Sequence, residues 1–116
     1  MSAPQQPEAT IAQEERRRYP RYDVRVRVEL QAEDATEPLF LDTTDISRNG
    51  CCVAIAPPLF AGTRVSVGLS LRDKQVRVRG CIVTRHPQFG NGIMFLRFEG
   101  DGEEQLRKYL DTIRGD

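Results

Sequence analysis

From Val24 onward the sequence alternates: Val24, Val26, Val28 and Leu30 fall on one face, and Arg25, Arg27 and Glu29 on the other. A period of two carried by β-branched residues is the pattern of a half-buried strand. Further strands are expected at Leu39–Ile46, Cys51–Ala56, Val65–Leu71 (where Val65, Val67, Leu69 and Leu71 alternate), Gln75–Arg85 and Ile93–Phe98. Between them stand Asn49–Gly50, Pro57–Pro58, Asp73–Lys74 and Gly90–Asn91–Gly92, all short turn signals. Parallel neighbours need crossovers of a dozen or more residues. The sheet is therefore antiparallel, and closing it into a barrel removes its exposed edges. Asn49–Gly50 is expected to supply the central pair of a tight hairpin. Gly80, interrupting the fifth strand, is expected to mark a bulge or a barrel corner.

Near the C-terminus the period changes. Leu106, Tyr109, Leu110 and Ile113 stand at i, i+3, i+4 and i+7, a single helical stripe. Asp101 with Glu104 reads as an N-terminal capping pair and Gly115 as the stop. Such a helix is too short to be stable alone, so its stripe must pack, and one mouth of the barrel is the place. The expected layout is strand-dominated: a six-stranded antiparallel β-barrel, a C-terminal α-helix and a flexible N-terminal arm. Residues 1–14, rich in Pro, Gln and small side chains, are a disordered tail. An arginine arm follows over 15–22, then the barrel over 23–99 and the helix over 101–114, as a single domain over 15–114.

Composition narrows the function. The 116 residues suffice for one core. Lys plus Arg is 17 and Asp plus Glu is 17, so the net charge is zero, which argues against a basic nucleic-acid coat or a purely electrostatic membrane binder. No apolar run approaches the roughly 18 residues of a membrane span, and none resembles a signal peptide. A cytoplasmic protein is expected. Cys51, Cys52 and Cys81 are odd in number and lack CxxC spacing, so they are read as small core residues rather than disulfide or zinc ligands. The sole histidine, His86, precedes Pro87 and is read as an exposed turn residue. With no nucleophile–base set, no Gly-rich phosphate loop and no metal-ligand cluster, the chain is expected to be a binder and not an enzyme.

Two segments do not look like scaffold. In Arg16–Arg17–Arg18–Tyr19–Pro20–Arg21, four of the chain's 15 arginines fall within six residues. Arginine offers a planar fork for phosphate or for the O6/N7 edge of guanine, and it stacks on bases. Alone, the segment is equally a solvated charge run. In Asp45–Ile46–Ser47–Arg48–Asn49–Gly50, alternation puts Asp45 and Ser47 on one face. A carboxylate there can accept two bonds from a guanine edge and a hydroxyl can bond a base or a phosphate. Alone, this segment is better read as an ordinary Asp/Ser/Asn/Gly hairpin.

Taken together, Arg16-Arg17-x-x-x-Arg21 followed by Asp45-x-Ser47-x-x-Gly50 resembles the bipartite signature of the PilZ domain family, RRxxxR then (D/N)xSxxG. The resemblance covers about residues 14–114 and implies the same barrel, arm and helix. It implies binding of the bacterial second messenger cyclic di-GMP. By position, Arg17 and Arg21 would grip guanine edges and phosphates, and Asp45 would read a guanine edge. Ser47 would bond ligand polar atoms, and Gly50 would leave space. Arg16 would engage a second ligand molecule, giving an intercalated dimer. Arg18 falls at a variable position and is assigned no role. The ligand would order the arm, and a downstream protein, not identified by sequence, would recognise the result. The alternatives are a ligand-independent adaptor and a single-strand-binding barrel. Aromatics at 7% with no tryptophan speak against the latter. A monomer and a weak homodimer paired through the helix both remain open.

Overall fold

The computed structural model describes residues 19–86 and 90–115. The strands are β1 (Arg27–Ala32), β2 (Leu39–Ser47), β3 (Gly50–Val53), β4 (Arg64–Leu71), β5 (Lys74–His86) and β6 (Gly90–Phe98), followed by helix α1 (Gly102–Gly115). Every pairing is antiparallel, and the order β1-β2-β3-β6-β5-β4 closes on itself into a barrel. β1 makes the closure, pairing Val28 with Leu41 on one side and with Leu69 on the other.

Alternation fills the interior. Val26, Val28, Leu30, Val65, Val67, Leu69, Val76 and Val78 are all buried, with Ile46, Ile82 and Ile93 completing the core. The face assignment from Val24 to Leu30 holds, but the regular strand begins only at Arg27. Upstream, Thr43 carries the pairing: its backbone N–H donates to the Val26 carbonyl at 3.0 Å, and its hydroxyl accepts from Val26 N–H at 2.9 Å and donates to the Val24 carbonyl at 2.7 Å. Thr43, Ser47 and Asn91 are the buried polar side chains, and no buried side-chain polar atom among the described residues lacks a partner.

Several expectations need correction. β3 ends at Val53 rather than Ala56, because the chain turns out of the sheet before Pro57–Pro58. His86 is the last residue of β5, paired with Gly90, instead of a turn residue. The β2–β3 hairpin turns on Arg48–Asn49, since Ser47 pairs with Gly50. Gly50 therefore begins β3, and the space around it, rather than a positive φ, excludes a side chain: a Cβ there would overlap the Ile93 carbonyl. Gly80 does sit at a bulge, where the β5–β6 register shifts between Arg79 and Gly80.

Helix α1 brings Leu106 and Leu110 into the same apolar cluster as the barrel interior, with Tyr109 and Ile113 packed at its margin. It lies against β5, at the end where the β4–β5 turn places Arg72 over the Tyr109 ring. The cap differs from expectation. Asp101 accepts the first helical bond through its carbonyl, from Gln105 N–H at 3.0 Å, and its carboxylate takes the Gln105 side chain. Glu104 instead pairs with Arg107. Truncation of Leu106, 1% exposed, opens a cavity beneath the helix. We expect Leu106→Ala to cost about 2–5 kcal/mol in urea unfolding. A loss below ~1 kcal/mol would show that the helix does not hold that end of the core.

Candidate ligand-binding site

The chain reaches the barrel along the end of β2. Tyr22 and Ile46 exchange backbone hydrogen bonds of 2.9 and 3.0 Å, an isolated bridge that fixes the approach segment to the strand. Arg21 is thereby brought against β2. A second local feature meets it. Thr43 pairs with Val53 but Asp45 pairs with Cys52, so Thr44 is the extra residue of a bulge. The bulge turns Asp45 outward, directly opposite Cys52.

Arg21 lies over this cross-strand pair. Its Nη2 donates to Asp45 Oδ1 at 2.5 Å and its Nε donates to the same oxygen at 3.1 Å. Nη2 also reaches Cys52 Sγ at 3.1 Å. Partial burial, the largest influence on the guanidinium, acts to lower its pKa; the hydrogen bond and charge of Asp45 outweigh it, and the net shift is upward. Arg21 is therefore a fixed cation. With side-chain exposures of 31% and 24% the pair is open to solvent, so it contributes only about 0–1 kcal/mol to folding. Its larger consequence is positional.

Ser47 is fully buried and serves the turn. Its hydroxyl donates to Asn49 Oδ1 at 2.6 Å and accepts from Asn49 N–H at 3.2 Å. Downstream of the bulge the register is regular, with Asp45 opposite Cys52, Ile46 opposite Cys51 and Ser47 opposite Gly50. Asp45 and Ser47 thus keep the alternation that sets both apart from Ile46, but Asp45 is partly exposed whereas the Ser47 hydroxyl is buried and bonded within the turn. Gly50 is buried beneath the site, against β6. Arg16 and Arg17 lie outside the described residues. Beside Arg21, a hollow of only about 20 Å³ is lined by Asn49, Gly50, Val83, Gly92 and Met94. Its lining is mostly small and apolar, and its volume is too small to enclose more than a water-sized group.

Several participants carried no motif. Cys52 was expected in the core, as was Cys81, yet both are half-exposed, and only Cys51 is buried; alternation along β3 from buried Cys51 was the available signal. Arg48 stacks on the Tyr19 ring, with its guanidinium carbon 4.8 Å from the centroid, tying the approach segment to the hairpin turn. Nothing local in sequence announces that contact. Among the described residues no group of three His, Cys, Asp or Glu side chains is placed to hold a metal ion.

The family model for the PilZ domain matches residues 15–112. This chain belongs to the PilZ domain family. Comparison with curated protein sequences gives no match. Among solved structures, the Bacillus subtilis inhibitor of motility (MotI/DgrA) superposes with a TM-score of 0.57 at 19% identity, over 84% of this chain and 51% of that one. The present chain thus spans about half the length of that relative. The PilZ domain of CeSA from a cellulose-synthesizing bacterium superposes with a TM-score of 0.55 at 20% identity, over 83% of this chain and 96% of that one. At these identities the likeness concerns the fold. PilZ domains are generally cyclic di-GMP receptors or adaptors, binding modules and not catalysts. No helix among the described residues is long and apolar enough to cross a membrane.

Beneath the site, burial first, then Cys52 and Asp45, push the Cys51 thiol far up from its ordinary value. A raised folded value means that the thiol's contribution is fully present below the unfolded pKa of about 8.5. It is lost as pH rises above that, at about 1.4 kcal/mol per pH unit. Urea unfolding at pH 8 and pH 10 should show this slope in the native chain and a flatter one in Cys51→Ala. Equal slopes would mean that the thiol ionises without opening the fold.

Proposed function

We propose that this PilZ domain binds cyclic di-GMP on the outer face of β2, β3 and β6 and relays it by ordering the N-terminal arm. The observation that carries this is the Arg21–Asp45 contact: one residue from each motif, 24 positions apart, meeting on an open face. Asp45 holds the guanidinium beside the hollow, so that its remaining N–H groups are available to a phosphate or a guanine edge. Beside it, Gly92, Met94 and Val83 offer a small apolar platform against which a base can pack.

The existing hollow is far smaller than the several hundred Å³ that enclose a ligand of this size. The arm supplies the missing wall. Arg17 grips the ligand together with Arg21, and Arg16 engages a second molecule of an intercalated dimer. Asp45 takes a guanine edge when the incoming phosphates draw Arg21 towards them. Ser47 either keeps the hairpin in shape or exchanges its Asn49 bond for one to the ligand. Gly50 keeps β3 tight on β6, so that nothing projects into the platform. Ordering each arm residue costs about 1–2 kcal/mol, offset by charge-assisted bonds and base stacking. The bound arm is a new surface for a partner protein. Such a receptor works in the cytoplasm.

Isothermal titration of cyclic di-GMP into the full chain tests this. A hydrogen bond to a charged group is worth about 1.5–3 kcal/mol, so Arg21→Ala and Asp45→Ala should each weaken binding by roughly 10-fold or more. Two ligands per chain, reduced in Arg16→Ala, would establish the dimer. Amide relaxation of residues 14–22 should change on saturation; unchanged mobility would end the relay mechanism. No heat and no thermal shift in the native chain would leave a ligand-independent adaptor as the function.

A further inference from the structure

The surface arginines fall into two groups. Arg21, Arg27, Arg77 and Arg107 pair with Asp45, Asp42, Glu29 and Glu104 respectively, and Arg107 also reaches Asp111. Arg48 and Arg72 rest on tyrosine rings. Exposed Arg25, Arg64, Arg79 and Arg97, however, have neither an ion pair nor a ring contact among the described residues, and the last three of them lie on the β4–β5–β6 wall.

These three are placed together by register. Arg79 lies directly opposite Arg97 on β6, with Ser66 opposite Arg79 on β4, and Arg64 is the next outward position along β4. Like charges facing each other across a strand pair destabilise the sheet. The bulge adds an apolar element. Because Arg79 pairs with Arg97 but Gly80 pairs with Phe95, Leu96 has no partner on β5 and is left 50% exposed. Two hollows, of about 300 and 430 Å³, share Arg79, the first reaching Arg64 and Leu96 and the second Arg97 and Phe98.

We propose that this wall is a docking surface for an acidic protein segment, with carboxylates on Arg64, Arg79 and Arg97 and an apolar side chain against Leu96. Charge complementarity selects the partner: three unneutralised guanidinium forks match carboxylates bidentately, and docking removes the Arg79–Arg97 repulsion. Leu96 between the arginines, and Glu33 and Glu99 lining the same hollows, suit a protein better than a continuous phosphate backbone. A third hollow, of about 350 Å³, runs from Leu96 and Arg97 to Arg48 and Tyr19, so the docked segment would border the hairpin turn of the motif site. The surface does not depend on that site binding a ligand.

Fluorescence anisotropy with a labelled peptide alternating Glu and Leu, titrated with the full chain, tests the proposal. The native chain should bind it saturably and should not bind a Lys/Leu peptide. The double variant Arg79→Glu/Arg97→Glu should weaken binding by about tenfold or more, and Leu96→Ser by about threefold. Arg97→Glu alone turns a like-charge pair into an opposite one, so its Tm should match or exceed that of the native chain, and its cyclic di-GMP titration should be unchanged. No binding of the acidic peptide by the native chain, or binding indifferent to these variants, overturns the proposal. A single-stranded oligonucleotide binding more tightly with the same arginine dependence would also overturn it, in favour of a nucleic-acid face.

Discussion

β1 is hydrogen-bonded on both sides, to β2 and to β4, and the rest of the molecule depends on that double pairing. With the ring closed, no strand edge among the described residues is left to bond another chain. The interior becomes a sealed volume filled by one side of every strand, and Val28 and Leu30 reach it directly from β1. Anything that recognises a ligand or a partner must then sit on the outer wall or at an end. One end is taken by α1, whose Leu106 and Leu110 continue the core. That leaves the wall, and on a wall the positions of side chains are set by register.

Register is where this barrel departs from a regular one. The extra residue at Thr44 puts Asp45 opposite Cys52, and the shift at Arg79–Gly80 leaves Leu96 without a β5 partner. Each bulge re-aims side chains that strict alternation would have placed otherwise. The first makes a carboxylate available to Arg21, and the second exposes an apolar residue among arginines. Both lie on strands that meet β3 or β6, so these two shifts act on adjoining parts of one surface; a third falls between Ile82 and Thr84 on β5. The tight β3–β6 contact between the first two is kept by Gly50, where any side chain would collide with the Ile93 carbonyl.

Much of this was legible in the sequence. Six strands, their antiparallel arrangement, the core faces and the helical stripe followed from periods of 2.0 and 3.6, because burial of one face is what those periods record. The motif pair pointed to Arg21 and Asp45, which do meet. The errors came from non-local geometry. The Thr44 bulge could not be read from β2 alone, since a bulge is a property of two strands. The hairpin turn is centred one residue earlier than Asn49–Gly50 suggested, because Ser47 pairs with Gly50 across the two strands. Cys52 and Cys81 were assigned inward on apolar character, although a small thiol on the outward face of a strand has little to lose from exposure. Arg48 on Tyr19 joins positions 29 apart in the chain with no pattern to link them.

The arginines show how one residue type is used for opposite ends on one small fold. Beside Asp42, Glu29 or Glu104, an arginine is neutralised and contributes little beyond solubility. Arg21 is paired as well, but its partner shares one oxygen with two donors, so the fork is oriented without being used up. Arg79 and Arg97 face each other, a positive density that the sheet alone would be better without. Three degrees of neutralisation therefore coexist on a chain of zero net charge. Three of the uncompensated arginines, Arg64, Arg79 and Arg97, are gathered on one wall by register, not by sequence proximity, and there the field reaches outward instead of being spent on the fold.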